Sequence, residues 1–229
     1  MLELRFRVAT LKRFSFSWAA LCVVTTHAHA LDIKEVEPQD EKAITILLSG
    51  RVNTGDGLKV RGFVAGLPPG KPIVAQLALE GGVRSEAMSI GRFFYQTRIR
   101  TLIPGKGTRC VSPCPLVLVG GRDGGTGNPN FFKYSTGSLG FSGITLNYQD
   151  KEYTVKDLDS AVASTQREIL QVADYLQGVG ANMEMLRYYH SVIKDQVKYI
   201  GNDEALDLGV AVLVEETGQL IEPSRLRRN

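Results

Sequence analysis

Arg109-Cys110-Val111-Ser112-Pro113-Cys114-Pro115-Leu116-Val117-Leu118-Val119-Gly120-Gly121 is the stretch on which the reading of this chain turns. A single serine lies between two cysteines, is followed by proline, and opens an apolar run that two glycines close. Ser112 is suited to cap a short buried helix whose first residue is Pro113, because proline at that position gives up only an N–H that would have no helical partner. The run from Pro115 to Val119 is too short for periodicity to separate a buried helix from a buried strand, and both fit.

Outward from this stretch, the pattern is one of alternating strands and helices. Ala43 to Leu48 reads as a strand, followed by the turn-rich Asn53-Thr54-Gly55-Asp56-Gly57. Lys59 to Ala65 begins a helix that Pro68-Pro69-Gly70 must end. Pro72 to Leu79 is a second strand, which Gly81-Gly82 is expected to break. Ser85 to Arg98 is an amphipathic helix offering Met88, Ile90, Phe93 and Phe94 to a core, and Arg100 to Ile103 is a third strand. The order strand, Gly-Gly, helix, strand, buried element is that of right-handed β-α-β crossovers. Further on, the glycine-rich stretch after Gly120 reads as a mobile loop over the mouth of a site, with no Walker lysine in register to make it a phosphate cradle. Leu158 to Leu176 reads as a helix with Val162, Ile169, Val172, Ala173 and Leu176 in the core, Met183 to Lys194 as another, and Ala211 to Glu216 as an edge strand.

At the N-terminus, Arg5, Arg7, Lys12 and Arg13 precede an apolar run from Phe14 to Thr26, and Ala28-His29-Ala30 offers the small residues of a cleavage site. Residues 1–30 are therefore expected to be a secretory signal peptide cut after Ala30, which places residues 31–229 in the periplasm or outside the cell as one domain. The apolar run is shorter than the roughly 20 residues that span a bilayer, so no stable membrane span is expected once it is removed. The leader holds four of the 27 basic residues and one of the 24 acidic ones, so the remainder is formally neutral and the basic balance of the whole chain belongs to targeting. Nothing in that neutral remainder suggests a nucleic-acid surface. Of the cysteines and histidines, only Cys110, Cys114 and His190 lie beyond the leader, too few for a closed zinc site, and no cofactor or metal is expected. A bond between Cys110 and Cys114 stays open: an oxidising compartment permits it, but the bridge would span a single turn around Ser112.

Four blocks resemble the Clp peptidase and crotonase superfamily, in particular secreted relatives of the Clp protease's proteolytic subunit. They are Ile44 to Asp56; Leu79-Glu80-Gly81-Gly82 with the helix bearing Glu86 to Arg92; Cys110-Val111-Ser112-Pro113-Cys114; and Asn202 to Val210. The resemblance implies an α/β fold with a β-β-α spiral core and C-terminal helices. It also implies a serine hydrolase site with Ser112 at the nucleophile position and Gly82 at an oxyanion-donor position.

The remaining parts of such a site depart from the pattern. Gly137-Ser138-Leu139-Gly140-Phe141-Ser142-Gly143 resembles the family's Gly-Val-His strand, but Ser142 stands where the histidine belongs, and a hydroxyl is no general base near neutral pH. Pro113 supplies no N–H for the second oxyanion donor. The acid position falls near Ile193, with Asp195 close by. Two alternative bases remain, His190 and a desolvated lysine among Lys133, Lys194 and Lys198. The leading expectation is a degenerate hydrolase site with a binding or assembly role, through a homo-oligomer or a peptide or envelope-protein ligand; the other is an active peptidase or esterase that uses one of those bases. Acyl-CoA chemistry is disfavoured by the export signal.

Overall fold

The computed structural model describes residues 30–37, 42–143, 152–192 and 196–223. The expected signal segment before Ala30, the expected acid position at Ile193 with Lys194 and Asp195, and the basic tail from Ser224 lie outside the described residues.

The described residues form an α/β structure around a curled, mixed ten-stranded sheet. In order the elements are β1 (Asp32–Val36), β2 (Ile44–Val52), α1 (Asp56–Ala65), β3 (Ile73–Gly82), α2 (Arg84–Thr97), β4 (Arg100–Ile103), β5 (Arg109–Val111) and α3 (Cys114–Leu118). There follow β6 (Phe131–Tyr134), β7 (Ser138–Ser142), α4 (Val155–Gly178), α5 (Glu184–Ser191), β8 (Val197–Ile200), α6 (Asn202–Asp207), β9 (Ala211–Val214) and β10 (Gln219–Ile221).

The third strand is the branch point of the sheet. Its first half pairs with β4 through Val74, Ala75 and Gln76, whereas its end pairs with β5 at Glu80 and Val111. The sheet divides there into an arm β4-β6-β9-β10 and an arm β5-β7-β8, with β2 along the other side of β3. Pairing is parallel throughout the interior; antiparallel partners β1, β8 and β10 finish the edges. Interior strands are apolar on the face that helices cover, as Ile46, Leu48, Ala75, Leu77 and Leu79 show, all fully buried.

Several sequence expectations need correction. The charged segment Asp32 to Lys42, whose lack of hydrophobic pattern reads as an exposed entry segment, begins with an edge strand antiparallel to β2, because backbone pairing tolerates charged side chains along an edge. Gly81-Gly82 does not break β3, which runs through both glycines at φ 90° and 123°. A side chain at Gly82 would place its Cβ 2.1 Å from the Val52 carbonyl oxygen, so only glycine lets β2 approach this closely. The stretch read as a mobile loop contains β6, a parallel strand between β4 and β9 with Phe131 and Lys133 buried. Its tip is closed by Asp123, which accepts hydrogen bonds from the Gly125 and Thr126 amides and the Arg100 guanidinium. The strand from Ala211 is internal, since β10 pairs on its far side.

The helices set the level of the third helix, and with it Ser112. At the α2–α3 crossing Gly120 and Gly91 touch backbone to backbone: a Cβ on Gly120 would lie 2.2 Å from the Gly91 carbonyl oxygen. Into the same crossing α4 inserts Tyr175, whose hydroxyl donates to the Leu116 carbonyl at 2.5 Å. Buried Arg122 donates to the carbonyls of Val119, Gly121 and Val179 and lies 4.5 Å over the Tyr95 ring, joining the end of α3 to the end of α4. Only Val172, Tyr175 and Leu176 of α4 are buried; Val162, expected in the core, is 55% exposed because the first half of the helix projects past the body. Among the described residues no helix is long and apolar enough to cross a membrane.

Candidate functional site

Between β5 and α3, the chain passes through Ser112 and a cis Ser112–Pro113 peptide bond. Cys110 and Cys114 are joined by a disulfide, so the bond left open by the sequence closes around the serine, with both sulfurs fully buried. The apolar run is a helix, not a strand, but it begins at Cys114, with Pro113 in the cap position and no side-chain cap. Ser112 does not cap it, because its hydroxyl is turned to the neighbouring strand.

That strand is β7. The Ser112 amide donates to the Gly140 carbonyl at 3.1 Å, and the Ser142 amide donates to the Ser112 Oγ at 3.0 Å. Backbone and side chain of Ser112 are thus both held by one strand, and the residue is 4% exposed. The sequence-derived Ser142 does meet Ser112, but through its amide. The parallel pairing of Glu80 with Val111 brings the ends of β3 and β5 out side by side, so Gly82 and Ser112 emerge from neighbouring strands.

Tyr189 occupies the remaining side of Ser112. It lies on α5 with its ring edge-on to Phe141 at 5.2 Å, and it is 2% exposed. Its hydroxyl interacts with the Ser112 side chain and makes no other hydrogen bond among the described residues. Burial raises the phenol's pKa far above its ordinary value, against smaller lowering effects from Ser112 and Arg84. Tyr189 therefore stays protonated.

Arg84 opens α2 directly after Gly81-Gly82-Val83. It pairs with Glu168 of α4 at 2.5 Å and donates to the Gly143 carbonyl at 2.9 Å, tying the end of β7 to both helices; its Nε has no partner among the described residues. Arg84 and Glu168 also line a cleft of about 320 Å³ between α2 and α4, together with Val83, Ser85 and Ser164. The three consecutive residues Phe141, Ser142 and Gly143 thus gather Tyr189, Ser112 and Arg84 around one strand end.

Of the alternative bases, Lys194 lies outside the described residues, and the other three are engaged with other groups or turned to another face. His190 follows Tyr189 on α5; successive helical residues point about 100° apart, so with Tyr189 turned to Ser112 the imidazole is exposed on another face. Lys198 is paired with Glu204 at 3.3 Å and lies 4.5 Å over the Tyr188 ring. Lys133 is buried, and burial lowers its pKa, but it sits on β6 in the other arm of the sheet and donates to Asn202 Oδ1 and the Ser135 carbonyl. Among the described residues no three His, Cys, Asp or Glu side chains gather as a metal site requires.

Tyr189 and Arg84 escaped sequence reasoning for different reasons. Tyr189 carries the 3.6-residue periodicity of an ordinary core position, and its hydroxyl leaves no pattern. Arg84 had a usable signal, its place at the first helical residue after Gly-Gly, where a side chain can reach the ends of the neighbouring strands. No protein-family model matches the chain, and no curated protein matches its sequence.

Proposed function

We propose that this chain is an exported protein of Clp-peptidase-like fold whose serine hydrolase site no longer turns over and which acts by binding or assembly. What supports the fold reading is a β3 that branches into two arms of parallel strands, with the nucleophile-position serine between a short strand and a buried helix. A β-β-α spiral arranges its layers in this manner.

The observation that carries the functional reading is the hydrogen bond from the Ser142 amide to Ser112 Oγ. A nucleophilic serine needs a base that accepts its proton. Here the oxygen accepts from an amide, which can take no proton, and the Tyr189 side chain that interacts with it is a phenol that burial holds in its protonated form. The strand position that would carry an imidazole carries Ser142, and its contribution is that same amide. Pro113 removes one oxyanion donor, a loss of about a hundredfold or more in working hydrolases.

The test is hydrolysis of p-nitrophenyl acetate and of casein by the purified protein beside its Ser112→Ala variant. Equal, background rates for the two proteins are expected. Turnover that vanishes in the variant would overturn the reading.

A further inference from the structure

Away from Ser112, a solvent-open cleft of about 410 Å³ runs between α2 and α4 and takes in Arg61 of α1. Along α2 it is lined by Ser85, Ser89, Arg92 and Gln96, which fall on one face of that helix, and α4 contributes Gln171 and Asp174. Arg61 and Arg92 are each held over a ring, at 5.2 Å from the Phe93 centroid and 5.7 Å from that of Tyr175, so both guanidiniums are positioned in advance of any ligand. Neither forms an ion pair among the described residues. Toward Val83 the cleft continues past Arg167 and past the Arg84–Glu168 pair, whose charges cancel. Asp174 is thus the one unpaired acid facing Arg61, Arg92 and Arg167, and the cleft is cationic on a chain that is close to neutral beyond its leader. Guanidinium forks, hydroxyls and carboxamides around one opening make an excess of donors. A carboxylate offers two oxygens in one plane, whereas a phosphate ester offers three spread tetrahedrally, which donors on different helices can share.

We propose that this cleft binds the phosphate group of a phosphate monoester, with Arg61 and Arg92 sharing its oxygens and Ser89, one turn before Arg92, donating its hydroxyl. The cleft is larger than a phosphate fills, and its length toward Ser85 or Gln96 accommodates the alcohol part of the ester. The site is separate from Ser112 and stands whether or not that serine turns over.

The experiment is calorimetric titration of the full chain with glycerol 3-phosphate at low salt, beside flotation with phosphatidylcholine vesicles that contain phosphatidate. Saturable binding of one glycerol 3-phosphate is expected. Arg61→Gln and Arg92→Gln are each expected to bind it about fivefold to tenfold more weakly, the loss of a charged hydrogen-bond donor at a solvent-open site. Asp174→Asn is expected to bind about twofold more tightly, because it removes the opposing charge. Arg187→Gln takes the same charge from α5, outside the cleft, and is expected to bind within about twofold of the parent. Flotation that requires phosphatidate and is lost in Arg92→Gln would support the site with a lipid headgroup as its ligand; soluble binding without flotation would support it with free phosphate esters. Absence of binding at millimolar glycerol 3-phosphate, equal weakening by Arg187→Gln and Arg92→Gln, or acetate binding as tightly as the phosphate ester would overturn the proposal.

Discussion

Replacing Ser112 with alanine separates a structural serine from a working nucleophile by stability alone. In the folded protein the hydroxyl oxygen receives the Ser142 amide at 3.0 Å, and Ser112 is 4% exposed. Alanine leaves that amide without an acceptor, and stranding a buried or part-buried donor costs about 1–2 kcal/mol at this degree of enclosure. The substitution opens no large void, since one oxygen is lost, and the backbone bond from the Ser112 amide to Gly140 is unaffected. For a domain of this size each kcal/mol moves the melting temperature by about 2–4 °C, so Ser112→Ala is expected to melt about 2–8 °C lower. Differential scanning calorimetry of the two proteins gives the number directly. Nucleophiles poised for reaction sit in strained surroundings, and their removal is commonly neutral or stabilising. A Ser112→Ala protein that melts at or above the parent temperature would refute the argument that this hydroxyl is a built-in structural acceptor.

Three further outcomes follow from the packing and the charges. Gly91→Ala places a Cβ 2.0 Å from the Tyr175 hydroxyl and 2.6 Å from the Leu116 carbonyl, forcing apart the bond between them. Overpacking and the lost bond outweigh the gain in helix propensity, for a net loss of about 2 kcal/mol, visible as a lower urea midpoint; an unchanged midpoint would mean that the α2–α3–α4 crossing is looser than described. Asp123 is held at about 2, below its ordinary 3.8, chiefly by the Thr126 amide and Arg100. Its carboxylate therefore contributes stability in full above pH 3.8 and loses it as pH falls toward 2, so the stability gap between parent and Asp123→Asn should close across that window; a gap independent of pH would remove Asp123 as the clasp of its turn. The third outcome concerns the disulfide, which closes a loop of about five residues, worth about 2 kcal/mol on loop-entropy grounds. The double variant Cys110→Ala with Cys114→Ala should unfold at correspondingly lower urea, and thiol alkylation of the denatured, unreduced parent should add nothing at these two positions; two adducts there would contradict the bond.

Where side-chain chemistry writes itself into the periodicity, the sequence was readable. The amphipathic α2 and the alternating apolar residues of β2 and β3 emerged within a few residues of their actual limits, because both bury one face against the other. The meeting of Ser142 with Ser112 was partly readable too, though it is made by the Ser142 amide, which the residue type does not show. Elements held by backbone pairing were not. β1 is mostly charged, β5 has three residues and β6 lies beside a glycine-rich turn, so each owes its conformation to a neighbour distant in sequence. Val162 misled for the opposite reason: α4 keeps an apolar spacing beyond the point where the body ends, so periodicity predicted a core that is not there. Around Ser112 the neighbouring Tyr189 was hidden because it is a tyrosine in an ordinary core position, and only the fold brings it beside the serine.

The central claim is that no group takes the Ser112 proton, and fluorophosphonate labelling followed by intact-protein mass measurement tests it most directly. The account predicts an unmodified mass after prolonged incubation of the folded protein with excess reagent. A stoichiometric adduct that maps to Ser112 and is absent from Ser112→Ala would contradict it.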